Sequence, residues 1–393
     1  MVARHFTASA SSSQKGSGTS AQLGVEDDST TCCAPTPQAV RTLKHKVMPL
    51  LAKVTSPASS KSATPRALTV IDTGSQLLVQ NDAIPFKVTF EKSRATFTSF
   101  EYKGQHYIHG GVAPNIWRAP TDNDEGGPVG EWPPFVHSIV HFLFAYFGFL
   151  LALFVPRILY NIAAFAKRWR FNRLDRPLML LSNFEYQETP EGTVAITTTS
   201  NLRTTFDTIV YKANFVVHES GVIDVAASFD LSQVQGLFPG LPRVGVQLLL
   251  PQNFSQYGWY GRGPHENYPD RLHSAMIGVY RSSVQDQHYN YIRPQETGNR
   301  CGVRWSEVRT PEGQGWRATA TATPFNASIS PYSQDNLTAS LHVNELKPAG
   351  YTTWNLDAAQ MGVGGDVSWL PSTHPEFLLR EKAYSVAFTL TPS

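Results

Sequence analysis

Three stretches of this 393-residue sequence concentrate side chains able to do chemistry. The first is Asn115-Ile116-Trp117-Arg118-Ala119-Pro120-Thr121-Asp122-Asn123-Asp124-Glu125-Gly126. Its carboxylates offer oxygen ligands for a metal, or an acid and a base. The same residues also suit an Asx-rich turn whose carboxylates cap backbone N–H groups and pair with Arg118. No calcium-loop spacing is present, so the turn is preferred. The second stretch runs Trp259-Tyr260-Gly261-Arg262-Gly263-Pro264-His265-Glu266-Asn267-Tyr268-Pro269-Asp270-Arg271. Rings beside Arg, His, Glu and Asp suit a sugar pocket, where rings stack on C–H faces and charged groups hold hydroxyls. His265 and Glu266 are a candidate acid/base pair; the alternative, favoured for any single residue, is a buried loop held by Arg–carboxylate bonds. His265, His273 and His288 show no ligand spacing with Cys or Glu, which argues against a metal. The third stretch, Met361-Gly362-Val363-Gly364-Gly365-Asp366-Val367-Ser368-Trp369, is a Gly-rich loop ending in an indole. It lacks the Gly-Lys-Ser/Thr of a phosphate loop. Its glycines allow φ > 0 and set one large side chain at the tip, so Trp369 is either a stacking platform or a core plug.

The elements that must position these loops read as strands. Apolar or alternating runs recur at 86–90, 95–102, 193–199, 208–217, 222–229, 244–250, 302–308, 317–323, 339–343 and 384–390. Hairpin-type connectors such as Glu219-Ser220-Gly221 and Glu312-Gly313-Gln314-Gly315 separate some of them. Strands at this density, with few helical patterns between them, predict an all-β sandwich of one large domain. Composition agrees: 28 Gly and 27 Pro favour turns, and only 16% of residues are charged, too few to dress long solvated helices. A net charge of +2 gives no field that would recruit nucleic acid. Three cysteines exclude both a disulfide framework and a four-cysteine zinc site.

Two segments stand outside this pattern. Residues 1–65 are Ser-, Thr- and Pro-rich without apolar periodicity and read as a disordered tail. No apolar signal core opens the sequence, and Glu26-Asp27-Asp28 counts against a mitochondrial presequence. Between Glu131 and Arg157 lie 25 residues without Asp, Glu, Lys or Arg. That suffices for a bilayer helix of ~20 residues. Arg157, Lys167, Arg168, Arg170, Arg173 and Arg176 follow it like a cytoplasmic flank.

Four pieces in order carry a resemblance. They are Trp117–Asp124 of the first stretch, Gly263–Arg271 of the second, Glu296-Thr297-Gly298-Asn299-Arg300-Cys301-Gly302, and the loop Met361–Trp369. Together they resemble the C-terminal portion of large β-galactosidases of glycoside hydrolase family 2, the small-chain domain, over residues 68–131 and 177–393. The resemblance implies a large antiparallel sandwich (supersandwich) of the galactose-mutarotase-like type over 66–393. It implies packing beside a catalytic TIM barrel, with a loop lent to that barrel's sugar site. Trp369 then corresponds to the tryptophan lining the sugar pocket, and Val367 replaces what is often a second Asp. The implied ligands are a β-galactoside or galactose, in a cytoplasmic β-galactosidase complex.

The glutamates of a retaining glycosidase sit ~5–5.5 Å apart. They, and the magnesium and sodium sites, belong by resemblance to the barrel. No catalytic residue, cofactor or metal ligand is therefore expected in this chain. The apolar helical insertion, at about 133–176, interrupts the sandwich. A single helix through residues 135–156 cannot leave a membrane and return to the same side, so a helical hairpin or an intron read as coding sequence is preferred to a span. Deleting 133–170 is expected to leave the sandwich folded. Two rivals remain: an aldose 1-epimerase-like enzyme, which needs a His acid and a Glu base facing one ring, and a non-catalytic sugar-binding or membrane-tethered protein.

Overall fold

Every second residue of Val194–Arg203, Thr208–Val217 and Ile223–Asp230 is buried, the period at which a pleated strand sends side chains to one face. These strands belong to a computed structural model that describes residues 68–125, 165–235, 238–366 and 373–393. The tail 1–65, residues 135–156 and Trp369 lie outside the described residues.

In chain order the strands begin with β1 (Thr69–Asp72), β2 (Gln76–Asn81), β3 (Phe86–Glu91), β4 (Thr96–Tyr102), β5 (Gln105–His106) and β6 (Gly110–Asn115). Next come β7 (Leu178–Glu188), β8 (Val194–Arg203), β9 (Thr208–Val217), β10 (Ile223–Asp230), β11 (Arg243–Pro251), β12 (Gln256–Gly263) and β13 (Met276–Ser283). The last are β14 (Arg300–Val303), β15 (Trp305–Arg309), β16 (Gly315–Ala320), β17 (Phe325–Ser330), β18 (Tyr351–Gln360) and β19 (Ala383–Pro392). Among the described residues three short α-helices accompany them: α1 (Asp122–Glu125), α2 (Phe165–Phe171) and α3 (Gln334–Ala339).

The strands form a nine-stranded sheet, β13-β12-β15-β16-β19-β10-β9-β8-β7, and two five-stranded sheets, β1-β2-β3-β4-β5 and β14-β17-β18-β11-β6. Register puts Phe215, Val225, Phe388, Leu390 and Trp316 on one face of the large sheet. Phe90 and Phe97 of the first small sheet lie 5.4 and 6.0 Å from Phe215, and Phe100 lies 4.5 Å from Trp316. Phe325 of the second small sheet lies 6.2 Å from Phe388. Both small sheets thus cover the same face, and their apolar contact is the core. The expected all-β antiparallel sandwich is what forms.

Local differences have local causes. The run 302–308 is two strands, not one: β14 joins a small sheet and β15 the large one, with the Arg304 N–H bonded to Tyr260 O (2.7 Å) at the crossing. The run 339–343 is no strand. Ser333 accepts the Asn336 N–H (3.1 Å) and starts α3, and Leu341 and Val343 stay exposed. Strand β18 escaped sequence reading because both its faces are covered, which erases the alternation. The connector glycines behave as expected: Gly221 and Gly313 have φ of +82° and +95°.

Among the described residues no helix is long and apolar enough to cross a membrane. The chain on either side of residues 126–164 comes together, because Arg170 on α2 donates to both Glu125 oxygens (3.1 and 2.5 Å). Trp169 on α2 is fully buried. Its Nε1 donates to Gly240 O (2.8 Å), and its ring meets Trp117 edge-on at 6.1 Å. The deletion of 133–170 would therefore remove a core side chain, and the dispensable part must end before Phe165. Trp169→Ala is expected to cost about 3–5 kcal/mol in chemical denaturation. Replacing 133–163 by a short Gly/Ser linker should change stability by only about 0.6 kcal/mol per halving of loop length.

Candidate functional site

Arg118 is a fully buried cation, and its partners decide what the first polar stretch does. Its Nε and Nη2 donate to the two Asp124 oxygens (3.0 and 2.8 Å), a bidentate fork. Asp124 also accepts the Thr121 N–H (2.9 Å). The carboxylate of Asp124 is therefore a cap and a counter-ion, as the turn reading expects. The remaining Arg118 donors reach Met361 O (2.8 Å) and Gly362 O (2.9 Å) across the fold. Asn123 Nδ2 adds a bond to Val363 O (2.9 Å). The first stretch thus grips the root of the Gly-rich loop.

The second stretch grips it from the other side. Asp270 Oδ2 accepts the N–H groups of Val363 (2.8 Å) and Gly364 (2.6 Å). A Cβ on Gly362 would come within 2.8 Å of that oxygen, so the loop needs glycine to approach so closely. Downstream, Thr373 Oγ1 donates to Gly364 O (3.1 Å), and the His374 ring meets Asp366 at 2.9 Å. The described residues on both sides of 367–372 are therefore tied down.

Glu266 and His265 do not form an acid/base pair. The Glu266 carboxylate accepts from Arg271 (2.5 Å), Thr297 Oγ1 (2.9 Å), the Gly298 N–H (2.7 Å) and the Tyr291 hydroxyl. Burial acts to raise its pKa, but the Tyr291, Gly298, Arg271 and Thr297 interactions outweigh burial and hold it below the usual range. A carboxylate held ionised by four donors is a poor base. His265 lies exposed and pairs with Ser274 (3.0 Å). The alternative of a loop held by Arg–carboxylate bonds describes this region.

Sequence reading missed a further buried cluster. Arg243 donates to Glu296 (2.9 Å) and ion-pairs with Asp357 (3.0 Å), while Gln360 Nε2 also donates to Glu296 (2.9 Å). One guanidinium faces two buried carboxylates, so one negative charge is in surplus. Burial raises both carboxyls against the pull of Arg243, Asp357 to about 7. Arg243 inside the apolar run around 241–250 was the available signal. Among the described residues no three His, Cys, Asp or Glu side chains come together as a metal site.

The pieces from the first, second and fourth motifs thus meet at the root of one loop, and the third supplies Glu296 beside it. A sequence-family comparison gives this convergence its context: the family described as "Beta galactosidase small chain" matches residues 81–390. The chain belongs to the β-galactosidase small-chain family. It is 32% identical over 311 residues to a protein named beta-galactosidase from Lactobacillus delbrueckii subsp. bulgaricus, covering 78% of this chain and 26% of that protein. A beta-galactosidase from Halalkalibacterium halodurans is 30% identical over 295 residues, 75% of this chain and 25% of that one. The small-chain region therefore spans about a quarter of these relatives' length. A solved galactose mutarotase related enzyme from Lactobacillus acidophilus aligns with TM-score 0.38 and 9% identity, covering 83% of this chain and 97% of that one.

The Asp357 carboxyl makes a pH test. Its pKa in the fold lies above the ordinary 3.8, so its contribution to stability is full below that value and is lost as pH rises through about 7. Urea unfolding of Asp357→Asn against the parent should show the difference moving in the variant's favour between about pH 5 and about pH 8. A constant difference would show that Asp357 does not titrate there.

Proposed function

We propose that this small-chain domain completes the sugar site of a β-galactosidase, which hydrolyses terminal β-D-galactose only when a catalytic barrel is present. Trp369 is the residue it contributes. The observation that carries the proposal is the double grip on the root of the Trp369 loop, by Arg118 on the Met361 and Gly362 carbonyls and by Asp270 on the Val363 and Gly364 amides. A tip side chain is useful to a neighbouring active site only if its root is immobile. An indole offers a broad apolar face to the axial C–H bonds of a pyranose.

The carboxyl pair that breaks the glycosidic bond is assigned to the barrel. Glu266, Asp124, Glu296 and Asp357 are all engaged by arginines in the described chain. Magnesium and sodium go with the barrel too, and no step here runs through them. The setting is the cytoplasmic enzyme complex.

The 393-residue chain alone should not turn over an aryl β-galactoside. Mixing it with the barrel-bearing part of a related β-galactosidase that lacks its own small-chain region should restore turnover. Trp369→Ala should then lower kcat/KM in the mixture by an amount equivalent to about 1–3 kcal/mol, with the unfolding midpoint nearly unchanged. A stability loss of about 3–5 kcal/mol in that variant would instead mark Trp369 as a core side chain.

A further inference from the structure

A cleft of about 630 Å³ opens between the edge of the nine-stranded sheet and the segment that follows β13. Tyr280 and Ser282 form one wall; His288, Tyr289 and Tyr291 form the other, with Arg271 at the rim. The volume suits a small molecule. The Tyr289 and Tyr291 rings sit 4.7 Å apart at 57°, and Tyr289 is 61% exposed. Its backbone N–H is bonded to Thr297 Oγ1 (3.1 Å), so an aromatic ring stands in water on a fastened backbone.

The charges around the cleft are already engaged. Arg271 is paired with Glu266, whose oxygens are filled by the donors described above. Arg281 reaches past Gly258 to Glu307 (2.9 Å) on the outer face of the sheet. Arg300 donates to the carbonyls of Gly298 (3.0 Å) and Asn299 (3.1 Å) and to Gln287 Oε1 (2.8 Å), and its guanidinium lies over the Trp259 ring at 4.8 Å. Asp286 accepts from Ser283 Oγ (2.7 Å). Burial holds the His288 ring below its ordinary pKa despite the Glu266 charge, so it is neutral near pH 7. A small ion would have to displace these hydrogen bonds, and a purely apolar ligand would strip water from these polar edges. A ring with an apolar face and a hydroxylated edge meets both conditions.

We propose that this cleft binds a neutral pyranose, its C–H face on Tyr289 and its hydroxyls toward His288, Ser282 and Arg271. Only the choice of galactose as probe rests on the family. Calorimetric titration of the 393-residue chain with D-galactose should show saturable binding. D-galacturonate and cyclohexanol should bind at least about tenfold more weakly. Tyr289→Ala should weaken galactose about tenfold, while Ile292→Ala, an exposed side chain outside the cleft, should leave it unchanged. Galactose binding that survives Tyr289→Ala overturns the inference, as does binding lost with Ile292→Ala. Equal or tighter binding of galacturonate or cyclohexanol, or no saturation by galactose, overturns it too.

Discussion

The buried Arg118 guanidinium is the constraint on which the site depends. Taking a cation out of water is costly unless every donor is met, and here the fork to Asp124 and the two carbonyls of Met361 and Gly362 meet that cost. Those carbonyls lie 243 and 244 residues away in sequence. Removing either end would strand a charge in a dry interior. The chain therefore cannot place the polar turn after β6 without also placing the root of the Gly-rich loop after β18.

The same logic recurs around Arg243, but with a different balance. Arg118 has one carboxylate and two carbonyls; Arg243 has two carboxylates and an incomplete set of hydrogen bonds. The first arrangement is neutral overall, whereas in the second two carboxyls share one guanidinium, and burial raises Asp357 and Glu296 against its pull. Buried ion pairs add little net stability compared with apolar packing, yet they penalise every register that separates the partners. In this sandwich they align β11 with β18 and fasten residue 296 against both, while the aromatic contacts around Phe215, Trp316 and Phe388 supply the burial.

The proposed function gives these contacts a use. A domain that spans about a quarter of its relatives' length can serve a larger enzyme by presenting a rigid loop rather than by supplying acids and bases. Asp124, Glu266, Glu296 and Asp357 are bound to arginines, and the loop root is held from two sides. Both features suit a part that positions chemistry done elsewhere.

Much was legible in the sequence. Alternating runs such as 208–217 and 222–229 dictated strands, because a half-buried strand must alternate, and turn glycines marked their ends. The carboxylates of the first polar stretch were readable as caps and partners of Arg118, and the structure selects Asp124 among them. The order of four motifs marked the family. Tertiary structure alone decided the rest. It showed that Trp169, beside an apolar stretch that looked dispensable, is core; that 302–308 divides between two sheets; and that Glu266 is a saturated anchor rather than a base. It also brought Asp270 to the amides of Val363 and Gly364 and Arg243 to Glu296 and Asp357. Sequence periodicity reports which face of an element is apolar, whereas a buried charge is defined by its partner, and that partner is chosen only when distant strands pack.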